Sequence, residues 1–181
     1  MINKNQPIRI AIAGLGFGEN VHIPASIFND DIELVGLWHQ RKDRLREACA
    51  KHNLYPYENW EDLINDPNLD GIIIATPPAP RFELALQAIK AGKHLLLEKP
   101  IGLNAEEVME LQRNALKRNL CVGVDYEYRA VPLFMQAKRI INQKKLDEPY
   151  FVKLDWLMSS RANPERPWNW YSDANCGGGV L

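Results

Sequence analysis

The chain has 181 residues, with 22 Lys or Arg against 23 Asp or Glu and a formal net charge of -1. Apolar residues make up 46% and charged residues 25%, which excludes a disordered or fibrous chain. The charge balance gives no electrostatic ground for nucleic acid or a membrane as partner, which leaves a small molecule.

This length suits one complete domain plus part of a second. Cys49, Cys121 and Cys176 lie far apart, with no CxxC and no Cys/His cluster at ligand spacing. No metal is therefore expected, and the cysteines read as reduced thiols of a cytoplasmic protein. The first apolar stretch is broken by Arg9, its glycines and Glu19, so it does not read as a targeting signal. No apolar run approaches the roughly 20 residues needed to span a bilayer.

In chain order, Ile8, Ile10 and Ile12 with Ala11 and Ala13 predict a strand buried on both faces, ended by Gly14. A strand over 32–38 precedes a helix over 42–52, and a strand over 71–75 precedes a helix over 81–91, which Gly92 stops. Then come a strand over 94–97, a helix over 105–118 capped by Asn104 with Glu107 three residues on, and a strand over 120–124. Strands joined by helices of this length imply a doubly wound parallel sheet. The pattern changes near residue 125. A helix over 132–142 opens on Pro132, and residues 150–157 alternate as a strand of another kind. The final stretch is rich in aromatic residues, among them Trp156, Trp168, Trp170 and Tyr171, which are expected to pack under a sheet that the chain does not reach. A sugar-stacking surface is the alternative.

Three places carry chemistry. Gly14, Gly16 and Gly18, with Phe17 between them, follow the first strand and open a helix, the setting of a dinucleotide fingerprint. Glycines let the backbone approach a pyrophosphate, whose charge meets free amides at the helix start. Glu19 stands where the third glycine would be, and tight packing or an adenosyl site of methyltransferase type remain alternatives. The second strand ends in Trp38, His39, Gln40 and Arg41 without a carboxylate for a ribose 2'-hydroxyl, and Arg41 suits a 2'-phosphate, which favours NADP over NAD. Thr76, Pro77 and Pro78 form a rigid wall at the carboxyl end of the third strand, and Glu98, Lys99 and Pro100 lie at the same edge.

The glycine turn with His22 and Pro24, then Thr76 to Pro78, then Lys93 and His94 leading into Glu98, Lys99 and Pro100, closely resembles the Gfo/Idh/MocA family of NAD(P)-dependent oxidoreductases. The resemblance implies a Rossmann domain over 1–125 and the beginning of a truncated α+β second domain over 126–181. It also implies hydride transfer between NADP or NAD and a sugar, polyol or related small molecule. Lys99 would be the catalytic lysine. Gly14, Gly16, Phe17 and Gly18 would hold the pyrophosphate, His39 and Arg41 the adenosine end, and Thr76, Pro77, Pro78 and Glu98 the nicotinamide side.

The departures are Arg81 where the family often has His, and His39 where many members have Asp. The closing glycines resemble the start of a motif that brings an acid–base histidine. That histidine is absent, so the second domain is expected to be cut off and the chain inactive alone. The family also implies a homo-oligomer for the full-length form. A noncatalytic dinucleotide-binding sensor or assembly module is the rival reading. His22 and His94 are assigned packing roles.

Overall fold

The computed structural model describes residues 6–147, 150–157, 165 and 167–178. Strands β1 (Ile8–Ala13), β2 (Ile32–Trp38), β3 (Tyr55–Pro56), β4 (Gly71–Ile74), β5 (His94–Glu98) and β6 (Val122–Asp125) form one parallel sheet in the order β3-β2-β1-β4-β5-β6. This is the doubly wound Rossmann arrangement, with its switch point between β1 and β4.

Side chains on successive strand residues point to opposite faces, and the apolar run of β1 serves both. Ile10 and Ile12 pack with Leu15, Ile23, Leu45 and Cys49 beneath α1 (Ile23–Ile27) and α2 (Lys42–His52). Ala11 and Ala13 belong to the other layer, with Trp60 and Leu63 of α3 (Trp60–Asn65), Leu86 and Ile89 of α4 (Pro78–Lys90), and Leu111 of α5 (Ala105–Lys117). The predicted cap of α5 is present. Asn104 Oδ1 accepts from the Glu107 amide at 2.9 Å, and Glu107 Oε2 accepts from the Leu103 amide at 2.8 Å.

The turn after β1 leads into a π-helical stretch, Gly18–His22, that continues as α1. Beyond β6, a short 3-10 turn (Glu127–Ala130) precedes α6 (Pro132–Asn142), which buries none of its residues and leaves Leu133 80% exposed. The strand expected over 150–157 does not form. Alternating residues become a strand only against a neighbour, and these residues are exposed, Tyr150 and Leu157 among the most so. Trp168 is exposed too, whereas Trp170 and Tyr171 turn back toward the sheet. The segment that follows them packs on α4, since a Cβ on Gly177 would lie 2.8 Å from Pro78 Cβ. The closing residues 179–181 lie outside the described set, so the expectation that the chain stops within a glycine motif is not described structurally.

Candidate active site

The carboxyl ends of β1, β4 and β5 meet around a cleft of about 390 Å³. Its floor begins at Gly14, whose φ of +103° only glycine adopts readily, and a Cβ there would lie 2.7 Å from the Ala75 carbonyl. Gly14 is thus needed for close packing between the ends of β1 and β4. Gly16 differs, because a Cβ there would meet nothing within 4 Å. The backbone at Gly16 therefore faces open space on the cleft side. Gly18 turns inward, with a Cβ 2.9 Å from Ile12 Cγ2, and so serves helix–sheet packing. Glu19, at the place of the usual third glycine, does not line the cleft. Its carboxylate reaches Lys51 at 2.8 Å and His52 at 3.2 Å on α2, and these hydrogen bonds hold it below the usual carboxylate range.

One wall is Thr76 and Pro77. Thr76 is buried and its hydroxyl has no hydrogen-bond partner, an unusual state for a buried polar group unless something else occupies that side. Pro78 lies behind the wall at the start of α4, and Pro80 lines the cleft in its place.

Arg81 is 2% exposed and donates to the backbone oxygens of Thr76, Glu98 and Pro100. One guanidinium thereby ties the wall after β4 to the turn after β5. Burial pushes its pKa down to about 10, opposed by the Glu98 charge. Arg81, which stands where the resembled family often has His, is thus a backbone clamp.

Glu98 and Lys99 diverge from the end of β5. Glu98 is buried and accepts from His22 Nε2 at 2.8 Å, while Asp125, opposite Glu98 in the register of β5 and β6, brings Oδ2 to 3.9 Å from the same nitrogen. Burial first, and then the Glu98 charge, push the Asp125 carboxyl above its ordinary range. Lys99 points outward, with Nζ 3.1 Å from Glu127 Oε1. Burial lowers its pKa, but the hydrogen bond and charge of Glu127, followed by Glu98 and Tyr171, outweigh that and raise it overall.

The far end of the cleft is bounded by Trp38, His39, Gln40 and Arg44. His39 Nδ1 lies 3.1 Å from the Arg41 amide nitrogen and 3.3 Å from the Arg41 carbonyl oxygen, so the Arg41 backbone holds the ring. Burial lowers the His39 pKa. Arg41 lies outside the lining, its guanidinium 2.7 Å from Asp43 Oδ2. Arg44, three residues on, lines the cleft from the first turn of α2, a position that the residues at the strand end do not mark. Phe17 also lines it, edge-on to His22 with centroids 5.5 Å apart. Trp170 and Tyr171, stacked at 3.8 Å, close the cleft beside Lys99, so these two rings are not simply awaiting a missing sheet.

A parallel sheet of this order with a glycine loop, a proline wall and a lysine around its switch point defines a nucleotide-binding domain of the oxidoreductase type. A family model described as "Oxidoreductase family, NAD-binding Rossmann fold" matches residues 8–126, and the chain belongs to that Gfo/Idh/MocA family. An uncharacterized oxidoreductase of Synechocystis is 39% identical over 181 residues, covering 99% of this chain and 49% of the relative. The NADP(+)-dependent scyllo-inositol 2-dehydrogenase of Bacillus subtilis is 26% identical over 98% of this chain and 49% of its own. The crystal structure of an NAD binding oxidoreductase from Klebsiella pneumoniae superposes with a TM-score of 0.81 at 25% identity, over 95% of this chain and 48% of that one. The chain thus spans about half the length of these relatives. No helix among the described residues is long and apolar enough to cross a membrane.

Proposed function

We propose that this chain is the cofactor-binding part of a dehydrogenase that moves a hydride between NADP or NAD and a carbinol or carbonyl carbon of a sugar, polyol or related small molecule. The observation that carries this reading is one cleft lined by Gly14, Gly16, Thr76, Pro77 and Lys99, with open space beside the backbone of Gly16. These residues fit a dinucleotide: the loop at Gly14 and Gly16 would hold the pyrophosphate, and Thr76 and Pro77 would flank the nicotinamide ribose. The bound nicotinamide supplies the hydride chemistry. Lys99 donates a hydrogen bond to the substrate oxygen and stabilises charge developing there. Trp170 and Tyr171 present flat apolar faces that suit the C–H surface of a sugar or polyol.

An adenosine end lined by Trp38, His39, Gln40 and Arg44, with Arg41 close by and no carboxylate among the described residues lining that end, supports NADP over NAD. The relative from Bacillus subtilis, named as NADP(+)-dependent and acting on scyllo-inositol, supports the same cofactor and the polyol class. The sheet ending at Asp125 supports a Rossmann unit over 1–125 with a second unit beginning at 126. The exposed apolar residues of α6 and 150–157 support a homo-oligomer in the full-length form, and a cytoplasmic location accords with the three free cysteines.

The chain alone is proposed to be inactive for want of a proton-transfer histidine. Fluorescence titration with NADPH, NADH and S-adenosylmethionine tests the reading, alongside an assay of inositol oxidation. Binding of NADPH without turnover is expected, and failure to bind either nicotinamide cofactor would overturn it.

A further inference from the structure

Lys99 has four rotatable bonds and a side chain that is 43% exposed, so nothing in the strand itself aims its ammonium. Two contacts outside the strand do. Arg81 holds the carbonyls of Glu98 and Pro100 on either side of Lys99, which fixes the backbone from which the side chain departs. Glu127 meets the ammonium. Its position follows from the register: Glu98 pairs with Asp125, so β5 and β6 end level and the residues just beyond them emerge side by side. The turn carrying Glu127 is closed by the Tyr126 amide on Val124 O and the Arg129 amide on Tyr126 O, both at 2.9 Å.

We infer that Glu127 is a positioning residue whose carboxylate holds the Lys99 ammonium at the mouth of the cleft. The inference rests on the proposed role of Lys99. A partly exposed ion pair contributes little to stability, so its main effect is on orientation and protonation of the lysine. The charged or titratable groups facing that ammonium are Glu127 from the turn after β6, Glu98 from β5 and Tyr171 from the returning segment. Of these, Glu98 is already engaged by His22, and Glu127 lies within ion-pair distance of the ammonium.

The test is acetylation of the full 181-residue chain with acetic anhydride across the alkaline range, followed by mass spectrometry of the Lys99 peptide, with exposed Lys117 as internal standard. In Glu127→Gln, Lys99 should label about two- to fivefold faster at fixed pH, because the ammonium loses its anionic partner and surrenders its proton at lower pH. Lys117 should not change. Glu127→Ala should show at least the same effect, and Gln serves if Ala does not fold. Unchanged or slower labelling of Lys99 in Glu127→Gln would overturn the inference. NADPH titration of the same variants reads the parent proposal separately: labelling that responds to Glu127 in a chain that binds no NADPH would sink the dehydrogenase reading and leave the positioning contact standing.

Discussion

His22 Nε2 donates to Glu98 Oε1 over 2.8 Å between two buried side chains that are 76 residues apart in sequence. The bond joins the helical stretch after the glycine loop to the strand end that carries Lys99. Removing the imidazole leaves a buried carboxylate without this donor. His22→Ala should therefore cost about 1.5–3 kcal/mol of stability, read from the urea midpoint at unchanged slope. A loss within a few tenths of a kcal/mol would show that water replaces the ring without penalty.

Two glycines two residues apart should behave in opposite ways. Gly14→Ala puts a side chain at φ +103° and against the Ala75 carbonyl, so it should destabilise the domain by at least about 1–3 kcal/mol. Gly16→Val meets open space, so the fold and its circular dichroism should survive while NADPH binding is lost. Retained binding in Gly16→Val would mean that the dinucleotide does not approach this loop.

At the other end of the cleft the two arginines should separate. Arg44→Ala is expected to weaken NADPH by about 1.5–3 kcal/mol through loss of a charge-assisted bond to the 2'-phosphate, with NADH nearly unaffected. Arg41→Ala should have the smaller effect, since Asp43 already engages that guanidinium. Isothermal titration with both cofactors decides between them, and equal affinities in the unsubstituted protein would remove the NADP preference altogether.

The Asp125 carboxyl, raised in the folded chain, makes a pH prediction of definite sign. Between its unfolded and its higher folded pKa the native state holds more protons, so stability falls as pH rises through that window. Above it the penalty is complete. Asp125→Asn removes the titrating group and puts a neutral amide at the position opposite Glu98. The variant should gain stability over the unsubstituted protein at neutral pH and lose that advantage on acidification below the unfolded carboxylate range. An advantage that is constant across pH would assign the gain to packing.

The elements that sequence reading recovered are those with a full period to read. Strand β2 and helices α2 and α6 match the predicted spans because their apolar spacing runs for seven or more residues. Strand β3 and helix α3 were missed, since two residues and six residues are too short for either period to register. The strand expected over 150–157 failed for the opposite reason: the alternation is present but no strand among the described residues lies beside it. Within the site, the glycine loop, the proline wall and Lys99 were legible because each follows directly on its strand. Arg44 was passed over because the guanidinium that lines the cleft comes from the first turn of α2. The contacts of His22 with Glu98 and of Glu127 with Lys99 cross between strands whose adjacency exists only once the sheet has formed, and no local pattern announces them.

The strand order has a practical consequence. β2, which His39 follows directly, and β5, which Lys99 follows directly, are separated by β1 and β4, a distance of about 14 Å at ordinary strand spacing. The two ends of the proposed site therefore lie at separate margins of one sheet. Under the proposed function, substitutions at residues 39–44 are expected to change cofactor preference and leave the surroundings of Lys99 as they are.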